Sequence, residues 1–174
     1  MNCLREYSRN MSEASRTPLE QINECKYLDV RSVEITKGFG LLLIVDELIP
    51  RKAFPENPER DFEPALAARI RAEIIAEVIP PARSFEIVFG HYISYTVSNE
   101  MYGKYPSPPE AFIGELFREF SWSYLLELTR KTTYADDDHP GPERLQHYEV
   151  VGQDEIYDVI ATEKPVLRLL SPKE

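Results

Sequence analysis

From Phe85 to Val97 the chain alternates: Phe85, Ile87, Phe89, His91, Ile93, Tyr95 and Val97 stand against Glu86, Val88, Gly90, Tyr92, Ser94 and Thr96. Only an extended strand turns the first set to one face, because successive strand side chains point to opposite sides. The run is thirteen residues long. Strands usually span about five or six, so the pattern predicts a bend or bulge at Gly90. Val30, Val33 and Ile35, and then Leu41 to Leu48, are rich in β-branched residues and leucine and are interrupted by Lys37-Gly38-Phe39-Gly40. They read as two strands of a hairpin. Ile113 to Phe120 reads as a further strand. Tyr148 to Val151 and Ile156 to Ile160 close the chain as strands around Gly152-Gln153-Asp154, and Val166 to Leu170 adds a terminal strand or turn.

Other stretches follow a helical period. Leu66, Ile70, Ile74 and Val78 recur every four residues and predict a helix over 64–79, stopped by Pro80 and Pro81. Trp122, Leu125, Leu126 and Thr129 share one face of a second helix over 121–132. Ser121 is its expected cap, and Arg130 and Lys131 suit its negative end. Thr17-Pro18-Leu19-Glu20 is a capping box opening a short helix to about Tyr27. The proline-rich stretches 50–64 and 98–109 read as loops, and residues 1–16 as a polar, mobile tail. The expected fold is one α+β domain over 17–174: a largely antiparallel sheet of five or six strands, with helices 64–79 and 121–132 packed on one face.

Composition narrows the function classes. With 174 residues, the chain can bury about 70% of its unfolded surface and needs no metal or disulfide staples. Thirty acidic residues against twenty basic ones give a net charge of -10, which disfavours nucleic acid and anionic membranes as partners. The imbalance is uneven, -3 over residues 1–87 and -7 over 88–174, so the acidic half suits a basic protein partner. The longest apolar run, Leu41 to Val45, is far short of the twenty or so residues of a membrane span. Cys3 and Cys25 match neither a metal motif nor a disulfide framework, and no signal peptide is legible, so a reducing cytoplasm is the expected compartment.

Nucleotide-binding glycine loops, zinc motifs and the nucleophile elbow are absent, and no cofactor or metal is expected. Two places collect polar chemistry. Asn99, Glu100 and Tyr102 directly follow the long alternating run, where a rigid strand end can present them, or where they simply close the strand with a turn. Asp136, Asp137, Asp138 and His139 share a loop fixed by Pro140-Gly141-Pro142, with His147 just beyond. A rigid acidic loop suits recognition of a partner. An alternative reading is a small hydrolase or metal-dependent enzyme in which Glu100, His139 and Asp138 converge, since carboxylates suit hard ions and imidazole titrates near neutrality.

The segments FEIVFGHYISYTVSNEMYG (85–103), GELFREFSWSYLLEL (114–128), YADDDHPGPERLQHYEV (134–150) and EIYDVI (155–160) carry a resemblance. In order and content they resemble a family of uncharacterised bacterial proteins, a domain of unknown function, over roughly residues 85–170. The resemblance implies positions, namely Asn99, Glu100, Arg118, His139, Pro140, Gly141, Pro142 and His147, and no chemistry, because no activity accompanies the family. The resulting expectation is a bacterial cytoplasmic accessory or immunity-like module that binds a protein partner through its acidic half.

Overall fold

The structure, a computed structural model, describes residues 16–51, 75–77, 83–108, 110–135 and 145–171. The expected tail up to residue 15, most of the proline-rich stretch and of the helix over 64–79, and the aspartate loop through Pro142 lie outside the described residues.

The capping box forms as read. Thr17 Oγ1 accepts from the Glu20 amide, and the Glu20 carboxylate accepts from the Thr17 amide at 2.7 Å, opening helix α1 (Pro18–Asn23). The helix ends before Tyr27 because that residue already belongs to a strand ladder opposite Leu48. Strands β1 (Tyr27–Thr36) and β2 (Gly40–Arg51) are the expected hairpin. Their turn takes Gly38 and Phe39 to positive φ (87° and 64°), a conformation that glycine adopts without strain. Beyond them come β3 (Ile75–Glu77), β4 (Ser84–Phe89), β5 (Tyr92–Asn99), a 3₁₀ turn (Glu100–Tyr102), β6 (Ala111–Ile113), β7 (Phe117–Trp122), helix α2 (Tyr124–Thr132), β8 (Gln146–Val151), β9 (Glu155–Ala161) and β10 (Val166–Leu170).

Among the described residues the strand pairings are all antiparallel, and they build two sheets rather than the single expected one. The first runs β1-β2-β4-β10 with short β3 added on β2, and the second runs β5-β9-β8-β7-β6. Their inner faces share one core. Leu41, Leu43 and Val45 of β2 and Phe85, Ile87 and Phe89 of β4 pack with Phe117 of β7, Tyr148 and Val150 of β8, and Tyr157, Val159 and Ala161 of β9. The Phe89 and Tyr148 rings meet across the layers with centroids 5.7 Å apart. Each leucine, isoleucine, valine and phenylalanine among them contributes roughly 1.5–3 kcal/mol by leaving water.

Several expectations are corrected. The run 85–97 is pleated and bends at Gly90 as expected, but there the chain leaves one sheet for the other, and β5 carries an irregularity between Tyr92 and Ser94. Phe85, Ile87 and Phe89 therefore point inward, Tyr95 packs against the same core, Ile93 lies under α2, and Val97 is 46% exposed. Residues 75–77, expected as helix, are a strand that pairs with 49–51 of β2. The second helix starts two residues late: Ser121 and Trp122 finish β7, whose ladder sets Trp122 opposite Ala111, and Ser123 is the true cap. Ile113 and Phe120 fall in different strands, β6 and β7, around Gly114 at φ 95°, where a Cβ would strike the Phe117 carbonyl. Among the described residues, α2 covers a sheet face in the expected way. Its Leu125 and Leu126 close a small second core with Ile93, Ala135, Leu145 and Ile160.

Candidate functional site

Residues paired across strands lie side by side on one face. On the outer face of the second sheet this places Arg118, Glu149, Asp158 and Thr96 in one row, and Phe112, Phe120, His147, Ile160 and Ser94 in the next. Helix α2 covers one end of this face. At the other end the segment after β5 crosses back toward β6: Gly103 lies against Ile156, and the Tyr105 ring meets Phe112 at 5.6 Å.

Arg118 anchors the polar row. Its guanidinium donates to Glu149 Oε1 at 2.5 Å and to the Glu115 carbonyl at 2.9 Å, and lies 5.0 and 5.1 Å from the Tyr105 and Phe112 ring centres. Burial holds the Glu149 carboxyl above its ordinary range despite that guanidinium, and Asp158 pushes the same way. Asp158 is the most exposed carboxylate of the row and is reached by the Thr96 hydroxyl.

His147 is held on three sides. Its ring stacks on Phe120 with centroids 4.2 Å apart, Nδ1 is 2.9 Å from Ser123 Oγ, and Nε2 is 3.0 Å from Asp158 Oδ1. The Ser123 oxygen also accepts the Leu126 amide at 3.1 Å, which leaves its own proton to reach Nδ1 while Nε2–H donates to Asp158. The order hydroxyl, imidazole, carboxylate is that of a nucleophile and its base. Yet Ser123 is 0% exposed and serves as the α2 cap, so no substrate atom reaches its oxygen. The line is a structural tie between α2 and the sheet.

Of the residues singled out in the sequence, Arg118 and His147 meet in these adjacent rows. Asn99, Glu100 and Tyr102 form a separate group at the end of β5. There Asn99 caps the 3₁₀ turn by accepting the Met101 amide at 3.0 Å, and Tyr102 is exposed. Asp136, Asp137, Asp138 and His139 lie outside the described residues, so of the alternative catalytic set only Glu100 is placed. Sequence reasoning missed Ser123, Glu149 and Asp158. The signal for the last two was a single charged residue within each apolar closing strand.

Glu100 lines a largely apolar groove of about 310 Å³ between the start of β1 (Tyr27, Leu28) and the second sheet (Leu116, Val151), with Lys26 as the other charged member. The turn Gly152-Gln153 forms a wall of this groove and also of a neighbouring cleft of about 260 Å³ lined by Asp29, Val30, Asp154 and Glu155. The Gln153 amide N–H donates to the Leu28 carbonyl at 2.8 Å, fixing the turn against the first sheet. Burial, and then Asp46, Asp154 and Glu155, raise the Asp29 carboxyl above its ordinary range.

No family model, curated protein or solved structure matches the chain. Among the described residues no helix is long and apolar enough to cross a membrane.

Proposed function

We propose that this chain is a protein-binding accessory module, immunity-like in kind, that works in the bacterial cytoplasm and meets its partner at the rim of the second sheet. One observation carries the reading. Of the thirteen large apolar side chains exposed among the described residues, seven fall between 101 and 134: Met101, Tyr102, Tyr105, Ile113, Tyr124, Leu128 and Tyr134. They sit on the crossing segment, on β6, on α2 and just after it. Tyrosines that offer a dry ring and a wet hydroxyl are favoured at protein interfaces. The buried ion pair and the stacked histidine beneath supply a rigid floor rather than reacting groups. The free, buried thiol of Cys25 suits a reducing compartment.

Site-specific photocrosslinking tests this reading. A benzophenone amino acid in place of Tyr105 or Tyr124 is expected to give discrete heavier adducts in the native host, while the same probe in place of exposed Ile35 on the first sheet gives none. Absence of adducts at both tyrosines, or equal labelling from position 35, overturns it.

A further inference from the structure

We infer that the Glu100 groove and the cleft beside it, on the two sides of the Gly152-Gln153 turn, form one docking site for an extended basic segment of the partner protein, an apolar side chain entering the groove and a lysine or arginine entering the cleft. The inference rests on the protein-binding reading and gives the partner a chemistry.

Size and lining select the occupant. A groove of about 310 Å³ is at the small end of ligand pockets, room for a side chain or two and not for a folded element. Its walls at Tyr27, Leu116 and Val151 are apolar and call for an apolar side chain. The next cleft changes character within the width of one turn.

Charge selects the second side chain. The residues lining the two spaces include four carboxylates, Asp29, Glu100, Asp154 and Glu155, against one ammonium, Lys26, which lies 5.5 Å from the Tyr27 ring centre. Asp46 adds to the same field, although Arg31 sits 3.3 Å from it. The Tyr157 hydroxyl donates to Glu155 at 2.5 Å but brings no positive charge; crowded carboxylates repel one another, and an entering cation relieves that repulsion. Among the described residues no three acidic, histidine or cysteine side chains converge as metal ligands, so the fitting cation is a diffuse one on a long side chain. The 3₁₀ turn makes the site continuous with the apolar rim, since Met101 and Tyr102 directly follow Glu100.

The test uses the full chain and a fluorescein-labelled peptide, Gly-Gly-Leu-Arg-Leu-Arg-Gly-Gly, read by fluorescence anisotropy. Binding is expected to weaken about tenfold in the double variant D154N/E155Q, to weaken similarly when the leucines become alanine, and to be unchanged in E34Q. Asp154 and Glu155 are exposed, so the double variant folds, which circular dichroism verifies. A glutamate-for-arginine peptide that binds equally well, or a double variant that binds as tightly as the parent, overturns the site. The photocrosslinks from Tyr105 separate the two levels. If they persist unchanged in D154N/E155Q, the docking site falls and the protein-binding reading stands. If they never form, both fall.

Discussion

Asn23 shows how one side chain can hold together segments distant in sequence. Its Oδ1 accepts the amides of Glu115, Leu116 and Phe117 at 2.7, 2.9 and 2.9 Å, while its Nδ2 donates to the Leu19 carbonyl at 3.1 Å. The three amides converge because Gly114 turns the chain at positive φ just before them. Asn23→Ala removes their shared acceptor and is expected to cost about 2 kcal/mol in urea denaturation, whereas Asn23→Asp, which keeps an acceptor there, recovers part of that loss. Two residues on, Cys25 is 7% exposed, and burial followed by the nearby Glu47 carboxylate pushes its thiol up to about 12. Because the thiolate is the nucleophile, a Cys3→Ser chain is expected to react with Ellman's reagent at pH 8 only after unfolding. Reaction of the native protein at the rate of a free thiol contradicts this.

At the scale of elements, α2 depends on Ser123 twice, as the acceptor of its first turn and as the partner of His147. Ser123→Ala is expected to lower stability by about 1–2 kcal/mol. It is also expected to speed amide exchange in 124–128 more than in β8, which separates loss of the cap from general loosening. The start of this helix also shows what a sequence can disclose. The spacing of Trp122, Leu125, Leu126 and Thr129 marks a helical face, and Arg130 and Lys131 mark its end. That Trp122 is claimed by the strand before it depends on a bulged pairing with Ala111, which is long-range register and leaves no local trace. The same limit applies at Gly90. Alternation states that neighbouring side chains take opposite sides, which holds along β4, but it is silent about which sheet the chain joins after a corner. The hairpin β1–β2, the capping box and the closing strands were legible because each is decided within about a dozen residues. In the site, Arg118 was marked only through the resemblance, and His147 through it and its place beside the aspartate loop. Their partners Glu149, Asp158 and Ser123 were not, because three separate strand pairings and a helix cap bring them there.

For the molecule as a whole, acid sensitivity is expected to pass through Glu47 and Arg83. The guanidinium donates to both carboxylate oxygens, at 2.8 and 2.9 Å, and approaches Glu24 of the segment after α1 at 4.0 Å, tying β2, the entry to β4 and the helix end together. The hydrogen bonds from Arg83 outweigh desolvation and hold the Glu47 carboxyl below its ordinary value. A carboxylate whose folded pKa is depressed stabilises the fold fully above its unfolded value and loses that contribution as pH falls through the folded one. The gap between the parent and Glu47→Gln is therefore expected to be about 1–2 kcal/mol at pH 7 and to close in acid. A gap independent of pH means the substitution acts through packing instead.

The interleaving of the two layers constrains how the molecule is made. The chain lays down β1 to β4, then the entire second sheet, and only afterwards β10, which pairs along β4 from Val166 opposite Val88 to Leu170 opposite Ser84. During synthesis, one flank of β4 has no neighbour until the ribosome has added those final ladder residues. A nascent chain that pauses before Val166 can complete its second layer while its first stays open along the strand holding Phe85, Ile87 and Phe89, and it is then exposed to capture by any other unpaired strand.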